Sequence, residues 1–171
     1  YTIVSAPASY RDSVEKVLNR LGVELGNFVL SPLSLAEAVL TGEEKDLGVV
    51  SLDIGGGTTK ICCYGNGRMI YMAAVPFGGE VITRDLKEAL SILQKKAEQL
   101  KVEYGQAIGD FAEEGKFVAI PGSEGWEHKE ISFKSLAYII QARLEEIIDS
   151  AGLYIGKSGF PEHTTQGMVV S

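Results

Sequence analysis

No stretch of this chain approaches the roughly 20 consecutive apolar residues that span a bilayer, which excludes a transmembrane helix. Basic residues are outnumbered 16 to 23, and the net charge of −7 argues against a protein that binds nucleic acid non-specifically. An acidic nucleotide stays open as a ligand, because it needs only local donors. Histidine amounts to His128 and His163, each isolated in a loop without metal-ligand spacing or a nucleophile partner, so neither is given a role. Cysteine amounts to Cys62 and Cys63, which are adjacent on an extended run and therefore point to opposite faces. They read as packing residues and fit a reducing compartment. Internal repeats and low-complexity segments are lacking as well. What remains is ordinary globular material, 45% hydrophobic and 23% charged over 171 residues, enough for one large domain or two small ones. The first residue is Tyr1 rather than Met, and Met168-Val169-Val170-Ser171 starts a strand that is cut short. The chain is therefore expected to be an excised piece of a longer protein.

The most informative stretch runs from Val49 through Asp53-Ile54-Gly55-Gly56-Gly57-Thr58 to Ile61. It enters and leaves its glycines as β-rich sequence, whereas a dinucleotide or Walker loop must open a helix. Gly65-Asn66-Gly67 follows, and Asn-Gly between extended runs is a strong hairpin signal. The economical reading is strand, glycine turn, strand, turn, strand. Such a turn can present backbone N–H groups to the oxygens of a polyphosphate. Asp53, at the strand end, suits a hydrated Mg²⁺, and Thr58 adds a hydroxyl. A tight β-turn with a capping aspartate fits the same residues.

Before this stretch, residues 1–5 and 27–30 read as strands. A helix follows each, the first with an apolar stripe of Tyr10, Val14, Val17, Leu18 and Leu21 and a Ser9-x-x-Asp12 start, the second capped and opened by Ser31-Pro32, with the proline at the first helical position. Gly42 ends the second helix, and residues 43–46 read as a solvated connection and a domain boundary. After the meander, Gly78-Gly79 brings a second glycine turn to the end of the third strand, where it either meets the first at one ligand or only leads into a helix over 83–90. Ser91-Ile92-Leu93-Gln94 has capping-box spacing and opens a helix with a stripe of Leu93, Ala97, Leu100 and Tyr104, closed by Gly105. On that helix Glu98 and Lys101 stand three apart, as a surface ion pair or as a ribose and base contact. Residues 110–114 read as a loop. Residues 116–120 and 130–133 read as strands joined by a turn-rich connection containing Trp126, either a partner anchor or an aromatic folded onto its own domain. A long helix starts at Lys134 and gives way to a loop at Gly156.

The order of these motifs resembles the actin-like ATPase superfamily, and within it the FtsA family of bacterial cell division proteins. The resemblance is carried by Leu30-Ser31-Pro32-Leu33 with Ala36-Glu37-Ala38-Val39-Leu40, by Glu44-Lys45-Asp46-Leu47-Gly48-Val49-Val50, and by the glycine stretch itself. Val75-Pro76-Phe77-Gly78-Gly79, Ala97-Glu98 with Lys101, Tyr104-Gly105, and residues 139–147 extend it over nearly the whole chain. It implies an α/β fold: an actin-like (ribonuclease H-like) ATPase lobe with a mixed sheet and helices, plus a small α+β subdomain. Residues 1–42 would end the first lobe, 47–78 and 143–171 would form the core of the second, and 79–142 its upper subdomain.

The family binds ATP and Mg between its lobes. The resemblance therefore assigns Asp53 to Mg²⁺ through water, and Gly55, Gly56, Gly57 and Thr58 to the outer phosphates. It assigns Gly78 and Gly79 to the cleft, and Glu98 and Lys101 to the ribose and adenine; it names no catalytic residue. Lys60 stands where many relatives carry an aspartate near the metal, so the resemblance carries binding further than hydrolysis. It also implies actin-like self-association and docking of the FtsZ C-terminal peptide on the upper subdomain. Attachment to the cytoplasmic face of the membrane at the division site would come through a C-terminal helix outside this chain. The piece alone is expected to be soluble and to bind ATP poorly. A phosphotransferase of the sugar-kinase or exopolyphosphatase branch, or a pilus or segregation filament protein, shares enough of the pattern to stand as an alternative.

Overall fold

A computed structural model describes residues 3–120, 129–160 and 166–171. The strands lie where apolar runs can be covered. β1 (Val49–Ile54), β2 (Thr59–Gly65) and β3 (Arg68–Val75) follow one another, and the sheet order is β3-β2-β1-β6, with β6 (Met168–Val170) at the edge. β2 is buried at nearly every position, as a central strand should be. Asn66 and Gly67 both have positive φ, 53° and 69°, which makes the two-residue link between β2 and β3 a type I′ turn. β6 pairs parallel to β1, Val50 against Met168 and Leu52 against Val170, so the sheet is mixed as expected.

The chain divides into two compact units. The first holds residues up to Asp53, Ile61–Ala73 and those from Ser158 on. Its helices are α1 (Ala8–Arg20), α2 (Ser31–Val39) and α3 (Gly42–Leu47), and its core gathers Ala36, Leu40, Val49, Cys62 and Tyr64. Both cysteines are buried, as the packing reading requires, and burial pushes the Cys62 thiol up to about 11 and Cys63 up to about 12. Lys45 reaches Glu37 at 2.8 Å and lies 5.5 Å from the centre of the Tyr64 ring.

Four expectations for this unit are corrected. Residues 3–5 and 27–30 form no strand; Phe28 and Val29 are exposed, and extended sequence without a neighbouring ladder has nothing to pair with. The α1 stripe is present in sequence, but no residue of α1 is buried, and Pro7 rather than Ser9 stands at its N-cap. Residues 43–46 are helical, not a solvated connection. Thr41 accepts from the Glu44 N–H at 3.3 Å while its own N–H donates to Glu44 Oε2 at 2.7 Å, a reciprocal capping box that supports a helix of only six residues. Finally, α2 is capped by Leu30, with Ser31 and Pro32 already in its first turn.

The second unit holds Ile54–Lys60 and Ala74–Lys157. It comprises α4 (Gly79–Leu90), α5 (Gln94–Tyr104), a single 3-10 turn at Gly109–Phe111, β4 (Phe117–Ile120), β5 (Lys129–Ser132) and α6 (Phe133–Lys157). β4 and β5 pair antiparallel, Val118 opposite Ile131. Ile82 and Leu86 of α4, Ala97 and Leu100 of α5, Ile120, Ile131, and Leu136, Ile140 and Ile147 of α6 make one core. Each such Leu or Ile contributes roughly 1.5–3 kcal/mol by leaving water. The Ser91 capping box is corrected: Ser91 is the left-handed C-cap of α4 (φ 51°), and α5 starts after Leu93, which is exposed. α4 starts at Gly79, earlier than expected, Phe133 belongs to α6 rather than to a strand, and α6 runs through Gly156. Trp126, His128 and His163 lie outside the described residues.

Candidate functional site

Asp53 is the next-to-last residue of β1, half-buried, at the limit of the first unit. The glycine loop that follows belongs to the second. Gly55 N–H donates to Thr58 O at 3.0 Å and closes the loop, leaving Gly56, Gly57 and Thr58 exposed at its tip. The second glycine turn is stitched to it: Gly79 N–H donates to Gly55 O at 2.9 Å and Glu80 N–H to Gly56 O at 2.8 Å. The two turns therefore do meet.

What the fold demands of each glycine differs. A Cβ on Gly78 would stand 2.3 Å from Gly55 O and 2.6 Å from Gly56 O, so this position is glycine because two backbones touch. A Cβ on Gly55 would press on Thr58 O at 3.0 Å. At Gly57 a Cβ would meet nothing within 4 Å, and at Gly56 only Glu80 Oε1 at 4.0 Å. Neither residue has the positive φ that would by itself call for glycine. Internal packing thus explains Gly55 and Gly78 and leaves Gly56 and Gly57 unexplained. Bare, exposed backbone of this kind suits the close approach of an anionic ligand to main-chain N–H groups.

Two threonines support the pair of turns, and sequence reasoning passed over both. Thr59, fully buried at the start of β2, donates its hydroxyl to Phe77 O at 2.8 Å, just before the second turn. Thr83, one turn into α4 and 2% exposed, sits among Gly79, Glu98 and Lys101. A threonine four residues after Gly79, on the same helix face, was the available signal; its burial was not.

Lys101 is far from a solvated pair. Its ammonium reaches Glu98 Oε2 at 2.7 Å, Thr83 Oγ1 at 2.9 Å and Gly79 O at 3.1 Å, which occupies its three protons, and its side chain is 20% exposed. Glu98 is held below the usual carboxylate range by its hydrogen bond from Lys101 and then by that from Thr83. Of the nine residues singled out, the structure joins Gly55, Gly56, Thr58, Gly79, Glu98 and Lys101 through hydrogen bonds, Gly56 by way of Glu80 N–H, and packs Gly78 directly against Gly55 and Gly56. Gly57 stands at the loop tip, and Asp53 stands where the strand ends.

The depressed carboxylates set a pH dependence. Hydrogen bonds from Lys45 to Glu37, from the Thr41 backbone to Glu44, and from Lys101 to Glu98 lower each below 4.5. What they contribute to stability is fully present above the unfolded value and is lost as pH falls through the lower folded ones. Thermal melts followed by circular dichroism should be level from pH 7 to 5 and fall below about 4.5. The fall should be smaller in Glu44→Gln; an equal fall in the two would contradict this origin.

Comparison with known proteins places the chain in a family. The model of the family described as "Cell division protein FtsA" matches residues 50–167. FtsA of Neisseria meningitidis serogroup B is 38% identical over 168 residues, covering 98% of this chain and 41% of the relative. FtsA of Pseudomonas aeruginosa is 30% identical over 169 residues, covering 99% and 40%. The chain thus spans about two fifths of the length of these relatives. Among solved structures, MreB5 of Spiroplasma citri bound to ADP superposes with a TM-score of 0.79 at 20% identity, over 97% of this chain and 54% of that one. A PilM–PilN type IV pilus biogenesis complex gives 0.69 at 14% identity, over 97% and 42%. At such identities the structures show the fold alone, and that fold is the expected actin-like one. The family match favours neither a sugar kinase nor a pilus protein.

Proposed function

The chain belongs to the FtsA family of cell division proteins, and from that membership we propose that it is part of an ATP-binding, actin-like adaptor that links FtsZ filaments to the membrane and polymerises. The observation that carries the nucleotide part is the stitched pair of glycine turns, whose exposed Gly56 and Gly57 are not required by packing or by φ. MreB5 of Spiroplasma citri, which shares the fold, has been seen with AMPPNP and with ADP.

In this reading the amides of Gly56 and Gly57 and the Thr58 hydroxyl hold the outer phosphates, Gly55 lies against them as the close of the loop, with its own N–H on Thr58 O, and the second turn, Gly78-Gly79, fixes the first. Glu98 accepts from a ribose hydroxyl and the Lys101 stem lies along the base. Among the described residues no cluster of three or more His, Cys, Asp or Glu side chains forms a metal site. An ion with one protein carboxylate, Asp53, fits Mg²⁺, which keeps its waters and takes phosphate oxygens. When bound, Mg²⁺ would neutralise phosphate charge, and Asp53 would orient its water shell. No residue here is assigned as a base for hydrolysis.

We assign residues 1–42 to the end of the first lobe, 47–78 and 143–171 to the core of the second, and 79–142 to the upper subdomain. The second compact unit contains 79–142 whole, which supports that last part. The upper subdomain would take the FtsZ tail. No helix among the described residues is long and apolar enough to cross a membrane, and attachment would come through a C-terminal helix of the full protein. Fluorescence anisotropy with a labelled FtsZ C-terminal peptide tests the adaptor role: saturable micromolar binding by the folded chain is expected, and a flat titration would overturn it. In the full-length protein, Asp53→Ala should lose the Mg²⁺ dependence of ATP binding while keeping weak metal-free binding. Unchanged Mg²⁺ dependence would remove Asp53 from its role.

A further inference from the structure

Thr83 has so far been given only a supporting place beside the turns, yet it is the most deeply buried side chain of the polar group around Lys101. At 2% exposed, it is one of only three buried polar residues among those described. Its hydroxyl has one proton and two lone pairs. A lone pair takes the Lys101 ammonium at 2.9 Å. The proton has two acceptors in reach, Gly79 O at 3.1 Å and Glu98 Oε2 at a shorter distance, and the charged, closer carboxylate is the stronger acceptor. Thr83 and Lys101 therefore both engage the same oxygen of Glu98. Two bonds on Oε2 fix the plane of a carboxylate on an otherwise exposed side chain, and they leave Oε1 without a hydrogen-bond partner among the described residues. An exposed glutamate held this way loses its rotamer freedom before any ligand arrives, which is what preorganisation requires.

We propose that Thr83 is a positioning residue that presents Glu98 Oε1 to a sugar hydroxyl and so makes the site selective for ribonucleotides over deoxyribonucleotides. This rests on the nucleotide reading given above. The same hydroxyl also braces Lys101 against Gly79 O, the carbonyl of the residue whose N–H is bonded to Gly55. The sugar contact and the phosphate turn are thus linked through the first turn of α4. A site that hydrogen-bonds a substrate hydroxyl rejects the analogue lacking it, because the carboxylate oxygen is left unpaired.

The experiment is a titration of full-length protein with ATP, 2′-deoxyATP and 3′-deoxyATP at fixed Mg²⁺, for the wild type, Thr83→Val and Thr83→Ser. The wild type should prefer ATP over one of the deoxy analogues by about tenfold, the scale of one hydrogen bond to a charged group. Thr83→Val removes the hydroxyl at nearly constant volume and should cut that ratio to about twofold or less, mostly by weakening ATP. Thr83→Ser keeps the hydroxyl and should restore it. Thr83→Cys, of similar size and with a weak donor, takes the place of valine if that variant does not fold, with the same loss expected. Nuclear magnetic resonance titration of the Glu98 carboxyl supplies a readout independent of ligand: its pKa should rise toward 4.5 in the hydroxyl-free variant and stay low in Thr83→Ser. Preserved discrimination in Thr83→Val, or an equal loss in Thr83→Ser, overturns the role of Thr83 while leaving nucleotide binding intact. A wild type without ATP affinity overturns the nucleotide reading and this role with it.

Discussion

Gly78→Ala is expected to destabilise the second unit by about 3 kcal/mol, from overpacking worth about 1–3 kcal/mol and two strained hydrogen bonds worth about 1 kcal/mol each. The added methyl would stand 2.3 Å and 2.6 Å from the carbonyl oxygens of Gly55 and Gly56. Neither obstacle is a side chain that can swing away. The turns must separate, and the bonds from Gly79 N–H to Gly55 O and from Glu80 N–H to Gly56 O lengthen with them. Because φ at Gly78 is −163°, an extended value open to alanine, the whole effect is steric. A calorimetric melt should shift by roughly 10 °C or more, and nucleotide binding should disappear in the full protein. A melt within about 2 °C of the wild type would mean that the two turns are not packed as described.

Arg143→Ala should cost about 2 kcal/mol, the loss of a bidentate charge-assisted pair. Its guanidinium reaches Asp85 twice, Nε to Oδ2 at 2.5 Å and Nη2 to Oδ1 at 3.1 Å, and Glu146 once at 2.6 Å, fastening α4 to α6. With 29% and 25% of the two side chains exposed, water screens part of the interaction, which keeps the cost below that of a fully buried pair. Arg143→Lys should recover only a fraction, since a point charge cannot replace the fork. In urea, the midpoint should fall with an unchanged slope, and Asp85→Ala/Arg143→Ala should lose less than the sum of the single changes. Strict additivity, or full rescue by lysine, would show that the pair does not act as a unit.

The parts of this fold that could be read directly are those whose signals are local. Asn66-Gly67 signalled a hairpin from two residues alone, and the glycine stretch, β-rich on both sides, read most economically as strand, loop, strand. Gly105 closes α5 as its position foretold. The errors arose where a local signal had two readings or where a distant partner decided. Ser91 is spaced like a capping residue but ends the helix before it, a role that depends on its left-handed backbone. Thr41 and Glu44 carried a capping box inside a stretch too polar and too short to suggest a helix. Residues 27–30 have strand composition and, among the described residues, no strand beside them. At the site, Glu98 and Lys101 were visible as a pair, but not the burial of Thr83 that separates them from a surface ion pair, because that burial comes from packing α4 on α5.

The account turns on Gly57, where the fold itself leaves room for a side chain. Isothermal calorimetry of Mg·ATP binding to the full-length wild type and Gly57→Val, with a thermal melt of each, tests it most directly. The prediction is a melt within about 2 °C of the wild type, since an exposed side chain is added into open space, together with at least a tenfold loss of affinity. Wild-type affinity in a folded Gly57→Val protein would contradict the claim that this loop closes on the phosphates.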